Sequence, residues 1–280
     1  MAPSFEDGNS LFNFVVRDGN GVKGMVDLGL SKVPEQYIQP PHERIVKLNA
    51  ISADELPPID LSKLDGPDHD QVADAIVNAA EVLGFFQVVN HGMPVELLES
   101  LKNAAHDFFG LAPEKKAAYR KGVSPSPYVK YGTSFVPEKE KALEWKDYIS
   151  MVYSSDVDAL TYWPNECKEV ALEYLKFSTD MVKKILKVLI AKLGILSNGR
   201  YKSAEHRVRT TSTKSRVSVP IFTIPKQTER IGPLPEVVKN DGVARYREVV
   251  FEDYMNNFFG NAHEGKKSLE YAQIISSTST

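Results

Sequence analysis

Ten residues after His206 lies Arg216-Val217-Ser218, in a stretch (residues 216–224) whose composition predicts a β-strand. Residues i and i+2 of a strand point to one face, so the Arg216 guanidinium and the Ser218 hydroxyl are expected to converge. A planar guanidinium with a hydroxyl beside it suits a carboxylate, held by charge-assisted hydrogen bonds. The same spacing also fits a surface ion pair, and the pattern by itself leaves both readings open.

The remaining histidines have ordinary explanations. His42, His69 and His263 lie in polar stretches and are expected to be solvated. His106, beside Asp107 on a predicted helix, is expected to pack partly buried. His91 ends a strand at Asn90-His91-Gly92, where a capping or hydrogen-bonding role is expected. Cys167, the single cysteine, follows Trp163-Pro164 and reads as a bystander; one thiol excludes an internal disulfide and fits a reducing compartment.

The elements that must position these groups follow from periodicity. Residues 1–55, with Gly19, Gly21, Gly24, Pro34, Pro40 and Pro41, read as an irregular arm with one short helix. A short strand at 57–61 opens the compact part. Val72, Ala75, Ile76, Ala79, Ala80 and Leu83 form one face of a helix that Gly84 ends. Residues 85–90 then predict a buried strand, and Leu97, Leu98, Leu101, Ala105, Phe108 and Phe109 a second helix after Pro94. A loop is expected over 120–140, a strand over 144–153 and a long helix over 168–193. After that helix the period becomes two, over 202–208 and 216–224. A loop at 225–240 and a helix at 251–259 finish the chain. The expected class is α/β (α+β).

With 280 residues, 42% hydrophobic and 25% charged, the chain can bury a sizeable core as one large or two small domains. A net charge of −3 provides no basic field for nucleic acid or anionic membrane, so neither partner is expected. The N-terminus lacks a basic region followed by an apolar run, and so reads as no secretory signal. The most apolar stretch, 185–193, is interrupted by Lys187 and Lys192 and is far shorter than a membrane span. A cytoplasmic protein is expected.

Three features together carry a family resemblance: His206-x9-Arg216-x-Ser218, the preceding turn Ile195-Leu196-Ser197-Asn198-Gly199, and Phe85-Phe86-Gln87-Val88-Val89-Asn90-His91-Gly92. They resemble plant iron(II)/2-oxoglutarate-dependent dioxygenases. Phe12-Asn13-Phe14-Val15-Val16-Arg17-Asp18-Gly19-Asn20-Gly21-Val22-Lys23-Gly24, Lys130-Tyr131-Gly132-Thr133-Ser134-Phe135, Ala142-Leu143-Glu144-Trp145-Lys146-Asp147-Tyr148 and Gly232-Pro233-Leu234-Pro235-Glu236 are similar to the coumarin-pathway branch. That branch holds feruloyl-CoA ortho-hydroxylases and scopoletin 8-hydroxylases. The stretches 201–211 and 241–246 look closer to its scopoletin-hydroxylating members.

The resemblance implies an N-terminal cap of helices and strands followed by a double-stranded β-helix (jelly-roll) core. It also implies His206 as the distal iron ligand, and Arg216 and Ser218 as the pair binding the 2-oxoglutarate carboxylate. Fe(II), 2-oxoglutarate and O2 would take part, with ascorbate as reductant. The substrate would be a small aromatic compound, a coumarin (scopoletin to fraxetin) or a hydroxycinnamoyl thioester, feruloyl-CoA, and the protein a monomer.

At one point the family pattern breaks. The family carries a His-x-Asp pair upstream of its distal histidine. Here the residue two places after each histidine is Arg44, Gln71, Met93, Phe108, Val208 or Gly265, none of them an acid. Near Gly194-Ile195 the long helix runs almost directly into the turn before His206, as though a block had been excised there. The β region has room for about three strands where a jelly roll needs about eight. One imidazole cannot make a facial triad of two histidines and a carboxylate. Glu205, as the strand neighbour of His206, would point to the opposite face. The expected organisation is therefore an arm, cap and packing helix over 1–193, then an incomplete jelly-roll remnant over 194–280. A catalytically inactive shortened form is the alternative to an active hydroxylase.

Overall fold

The computed structural model describes residues 8–41, 56–134, 140–193, 197–202, 213–260 and 268–274, with residues 5, 44, 137, 138, 204, 206 and 208 singly. His42, His263, Glu205 and the Gly194-Ile195 junction lie outside the described residues.

The arm holds two short helices where one was expected: α1 (Gly8–Phe12), running into a π-helical turn over Asn13–Arg17, and α2 (Gly21–Asp27). Next come β1 (Ile59–Asp60), α3 (His69–Val82), β2 (Val88–Val89), α4 (Val95–Gly110) and the single turn α5 (Pro113–Lys116). β3 (Val129–Thr133) and β4 (Asp147–Met151) precede α6 (Asp156–Tyr162) and the 26-residue α7 (Lys168–Leu193). The chain closes with β5 (Arg230–Ile231), α8 (Pro235–Asp241), β6 (Val249–Val250) and α9 (Phe251–Gly260). The mixed helix-and-strand class is as expected.

Local chemistry explains the boundaries. α3 buries Val72, Ala73, Ile76 and Ala80, and stops where Gly84 takes φ +79° in the left-handed region. α4 buries Leu97, Leu101, Ala104 and Phe108, spaced by four, three and four residues along one stripe. Ser155 caps α6, its Oγ accepting the Asp158 amide at 3.1 Å. α8 begins with Pro235 in its first turn, where a missing N–H costs nothing, inside the stretch expected to be a loop. β3 likewise falls in the expected loop 120–140, because β4 satisfies its backbone in an antiparallel register pairing Tyr131 with Ile149 and Thr133 with Asp147.

The chain divides into two compact units. The first comprises Met1–Val46, Pro94–Lys176 and Arg209–Val219; the second comprises Lys47–Met93, Phe177–Val208 and Pro220–Thr280. In the first unit one core gathers Leu11, Val15, Val22, Met25, Tyr37 and Leu143. Another gathers Leu101, Val129, Ala159, Trp163, Ala171 and Leu172. The core of the second unit sets Ile59, Leu61, Leu64, Val72, Ala73 and Ile76 against Val188, with Met181, Ile185 and Leu189 of α7 packed around them.

Strands among the described residues make three two-stranded sheets: parallel β1–β2, antiparallel β3–β4 and antiparallel β5–β6. The strands expected at 202–208 and 216–224 do not form at any described residue. A strand is stable only where a neighbour satisfies its N–H and C=O groups, and no described segment pairs with these. Their apolar side chains stand in solvent: Phe222 is 79% exposed, Val208 64% and Ile224 61%.

Candidate functional site

The approach to His206 starts at a tight turn. Asn198 (φ +48°) and Gly199 (φ +87°) both adopt left-handed backbone, which asparagine and glycine tolerate best. Asn198 is buried, and its side chain is fully engaged. Its Nδ2 donates to Asp241 Oδ2 at 2.9 Å and to the Val243 carbonyl at 2.8 Å, while its Oδ1 accepts the Arg245 amide at 2.8 Å. Arg200 closes the group by donating from Nε to Asp241 Oδ1 at 3.1 Å and from Nη2 to the same oxygen. These bonds from Arg200 and Asn198 hold the Asp241 carboxyl below the usual aspartate range. Ser197 Oγ accepts the Tyr201 amide at 2.9 Å, and the Tyr201 hydroxyl donates to the Leu189 carbonyl of α7 at 3.0 Å.

Lys202 extends the anchorage. Its amide donates to the Ala80 carbonyl at 3.0 Å and its Nζ to the Val82 carbonyl at 3.1 Å. A Cβ on Gly84 would lie 2.5 Å from the Lys202 carbonyl oxygen, so that close approach requires glycine. His206 itself is exposed, with Nδ1 3.1 Å from the Ala204 carbonyl oxygen. It belongs to the second unit.

Arg216 and Ser218 belong to the first unit and are both exposed on a stretch without strand geometry. The i, i+2 argument for their convergence therefore does not apply to the backbone as it stands. Beside them, the Tyr174 hydroxyl of α7 donates to the Val219 carbonyl at 3.2 Å.

The other histidines divide as chemistry suggests, with one correction. His91 Nδ1 accepts the Met93 amide at 3.2 Å, the hydrogen-bonding role expected of it. His69 is exposed, its Nδ1 2.6 Å from the Leu64 carbonyl oxygen. His106, expected to be partly buried, is exposed, because the buried stripe of α4 runs through Leu101, Ala104 and Phe108. Cys167 is buried, and burial pushes its thiol up to about 12, far from nucleophilic use at neutral pH.

Among the described residues no group of three or more His, Cys, Asp or Glu side chains could hold a metal ion. A mononuclear iron centre needs two imidazoles and a carboxylate on one face. Among the described residues, the exposed imidazole of His206 without a second histidine and a carboxylate grouped beside it does not fit that requirement. Two clefts of the first unit measure about 190 and 170 Å³, below the roughly 300–1,000 Å³ of small-molecule sites.

Sequence reasoning passed over the anchors. Asp241 lies 41 residues from Arg200 along the chain, and the sequence singled out the Asn198-Gly199 turn and the stretch 241–246 separately, with nothing to pair them. The motif at residues 85–92 proves structural as well. Asn90 (φ +51°) donates to Asp60 Oδ2 at 2.9 Å while Asp60 Oδ1 accepts the Ser62 amide at 3.0 Å, tying together the ends of β1 and β2.

Comparison with known proteins bears on this geometry. The family model described as the N-terminal region of non-haem dioxygenases in morphine synthesis matches residues 56–170, and that of the 2OG-Fe(II) oxygenase superfamily matches 129–225. A scopoletin 8-hydroxylase of Arabidopsis thaliana is 49% identical over 98% of this chain and 99% of its own. A feruloyl-CoA ortho-hydroxylase of Ipomoea batatas is 37% identical over 95% and 97%. The first alignment runs over 355 positions against a chain of 280 residues, so at least 75 positions of that relative have no residue here. Among solved structures, a crystal structure of JOX2 in complex with 2OG, Fe and JA superposes with a TM-score of 0.75 at 25% identity, covering 90% of this chain and 97% of that one. A dioxygenase for auxin oxidation in rice superposes at 0.57 and 16% identity, over 79% and 100%, and shares the fold.

Proposed function

From the premise that the chain belongs to the 2-oxoglutarate/iron(II) oxygenase superfamily, an oxidoreductase family whose relatives here are hydroxylases, we propose that it is a shortened coumarin hydroxylase. Its lineage takes scopoletin, 2-oxoglutarate and O2 to fraxetin, succinate and carbon dioxide. The observation that carries this is 49% identity along nearly the whole chain to a scopoletin 8-hydroxylase, against 37% to a feruloyl-CoA ortho-hydroxylase. By descent, His206 is the distal iron ligand, and Arg216 and Ser218 are the pair for the 2-oxoglutarate carboxylate, with ascorbate as reductant. The organisation behind those roles is an arm, cap and packing helix over 1–193 and the oxygenase remnant over 194–280. The protein works as a monomer in the cytoplasm, a reducing compartment that its single thiol fits.

A second reading concerns the chain as it stands: it is catalytically silent. In its favour, no histidine is followed two places on by an acid, and the 75 or more absent positions are enough to carry the missing pair. One titration separates the readings. Adding Fe(II) and 2-oxoglutarate without oxygen is expected to give no visible charge-transfer band with this chain. A band would overturn the silent reading. Restoring the absent block from the Arabidopsis relative is expected to produce the band and conversion of scopoletin over feruloyl-CoA. The reverse preference would overturn the substrate assignment.

A further inference from the structure

The net charge of −3 averages over charges that are unevenly spread along the chain. From His206 to Lys226 the sequence carries Arg207, Arg209, Lys214, Arg216 and Lys226 and no aspartate or glutamate. The described part of this stretch, 213–226, is irregular chain without strand pairing. Val219, Phe222 and Ile224 stand in solvent there, and Arg216 and Lys226 on either side of them are exposed as well. Single apolar side chains on a surface are ordinary, but three so close in sequence, flanked by cations, make a patch of two chemistries. Their nearness is covalent, since they follow one another along the chain.

The patch is fixed at its C-terminal end. The Lys226 carbonyl accepts the Glu229 amide at 3.0 Å, and the Gln227 carbonyl accepts the Glu252 amide at 2.9 Å. These bonds use backbone only and leave the side chains of Phe222, Ile224 and Lys226 exposed.

Prolines decide between two occupants. A second copy would cover such a run by pairing backbone to backbone. Pro220 and Pro225 bracket Ile221-Phe222-Thr223-Ile224, however, and neither has an N–H to give to a ladder. A lipid surface needs no ladder. Aromatic and aliphatic side chains enter the boundary between headgroups and acyl chains, while Lys and Arg beside them meet anionic headgroups. Nucleic acid would satisfy the cations but offers little to Val219 and Ile224.

We propose that residues 214–226 form a peripheral docking site for an anionic lipid surface, with Phe222 and Ile224 entering it and Arg216 and Lys226 facing its headgroups. Arg216, assigned by descent to a carboxylate, meets a headgroup anion by the same charge-assisted hydrogen bonding. No helix among the described residues is long and apolar enough to cross a membrane, and this attachment needs none. It is independent of whether the chain binds iron.

Sedimentation of the full chain with vesicles tests it, using phosphatidylcholine alone or mixed 3:1 with phosphatidylserine. The chain is expected to pellet with the mixed vesicles at about 0.1 M salt, to stay in solution with phosphatidylcholine alone, and to be released at about 0.5 M salt. Lys226→Ala is expected to weaken binding about five-fold. Phe222→Ser combined with Ile224→Ser is expected to weaken it at least ten-fold, with unchanged far-ultraviolet circular dichroism. In Phe222→Trp, the added indole fluorescence is expected to shift to the blue on mixed vesicles. No binding to mixed vesicles overturns the proposal, as does binding that the double serine variant leaves unchanged, or an indole that does not shift. Pelleting without vesicles that the serine pair abolishes would give the segment to a second copy, and binding to an oligouridylate in place of vesicles would give it to a nucleic acid. Either result overturns the lipid assignment.

Discussion

Two aspartates respond to pH in opposite directions, and the cause is what surrounds each. Asp241 is partly buried and is held below the usual value of 3.8 by Arg200 and Asn198. It contributes stability that is present above 3.8 and fades as pH falls through its lowered pKa. Asp147 is raised above 3.8, first by burial, with the Lys23 and Val22 amides, Lys116 and Thr133 opposing. The folded chain binds its proton more tightly than the unfolded chain does. Its charged form therefore weighs against folding above the raised pKa, and that weight fades as pH falls through it toward 3.8. Melting temperatures from pH 7 to pH 4 are expected to rise for wild type relative to Asp147→Asn. The same comparison with Asp241→Asn, continued below pH 4, is expected to show wild type losing its advantage. Parallel slopes for the two variants would refute the assignment. Asn198→Ala, which leaves three partners unmet, is expected to lose about 1–3 kcal/mol in denaturant unfolding.

Among the elements, α4 and the β3–β4 hairpin of the first unit meet in a cluster of aromatic rings. Phe108 is 1% exposed and touches three rings: Phe109 at 5.3 Å, and Tyr119 and Tyr131 at 5.9 Å between centroids. Lys116 Nζ sits 5.3 Å over the Tyr131 ring and donates to the Phe109 carbonyl at 3.0 Å, so this buried ammonium is both solvated by a carbonyl and faced by a ring. Burial lowers its pKa. Phe108→Ala is expected to cost about 3–5 kcal/mol by urea unfolding followed by near-ultraviolet circular dichroism. A loss below about 1 kcal/mol would mean the ring cluster is not the core it resembles. The stretch 213–226 lies at the other extreme, exposed and without strand pairing. Brief trypsin digestion is expected to cut after Arg216 or Lys226 before any site in α4 or α7, as mass spectrometry of the first fragments would show. First cuts within either helix would contradict that order of local stability.

Across the whole molecule, the separation between legible and illegible follows the range of the interactions. α3, α4 and α7 could be read from their own residues, since a helix satisfies its backbone internally and its apolar stripe repeats every three to four positions. The turn at Asn198-Gly199 and the hydrogen bond of His91 were legible for the same local reason. So was the ancestry, because the resemblance rests on separate short stretches of sequence and does not depend on strands forming beneath them. What the sequence alone determined was thus family, helices and the lack of a His-x-Asp pair. Only the tertiary structure decided that 120–140 supplies a strand while the described parts of 202–208 and 216–224 supply none. The same alternating pattern becomes a strand when a partner such as β4 takes up its backbone groups, and remains an exposed strap of chain when none does. Tertiary contacts also chose Asp147 and Asp241 as anchors, because each finds its amides and guanidinium across a long separation in sequence that no local pattern records.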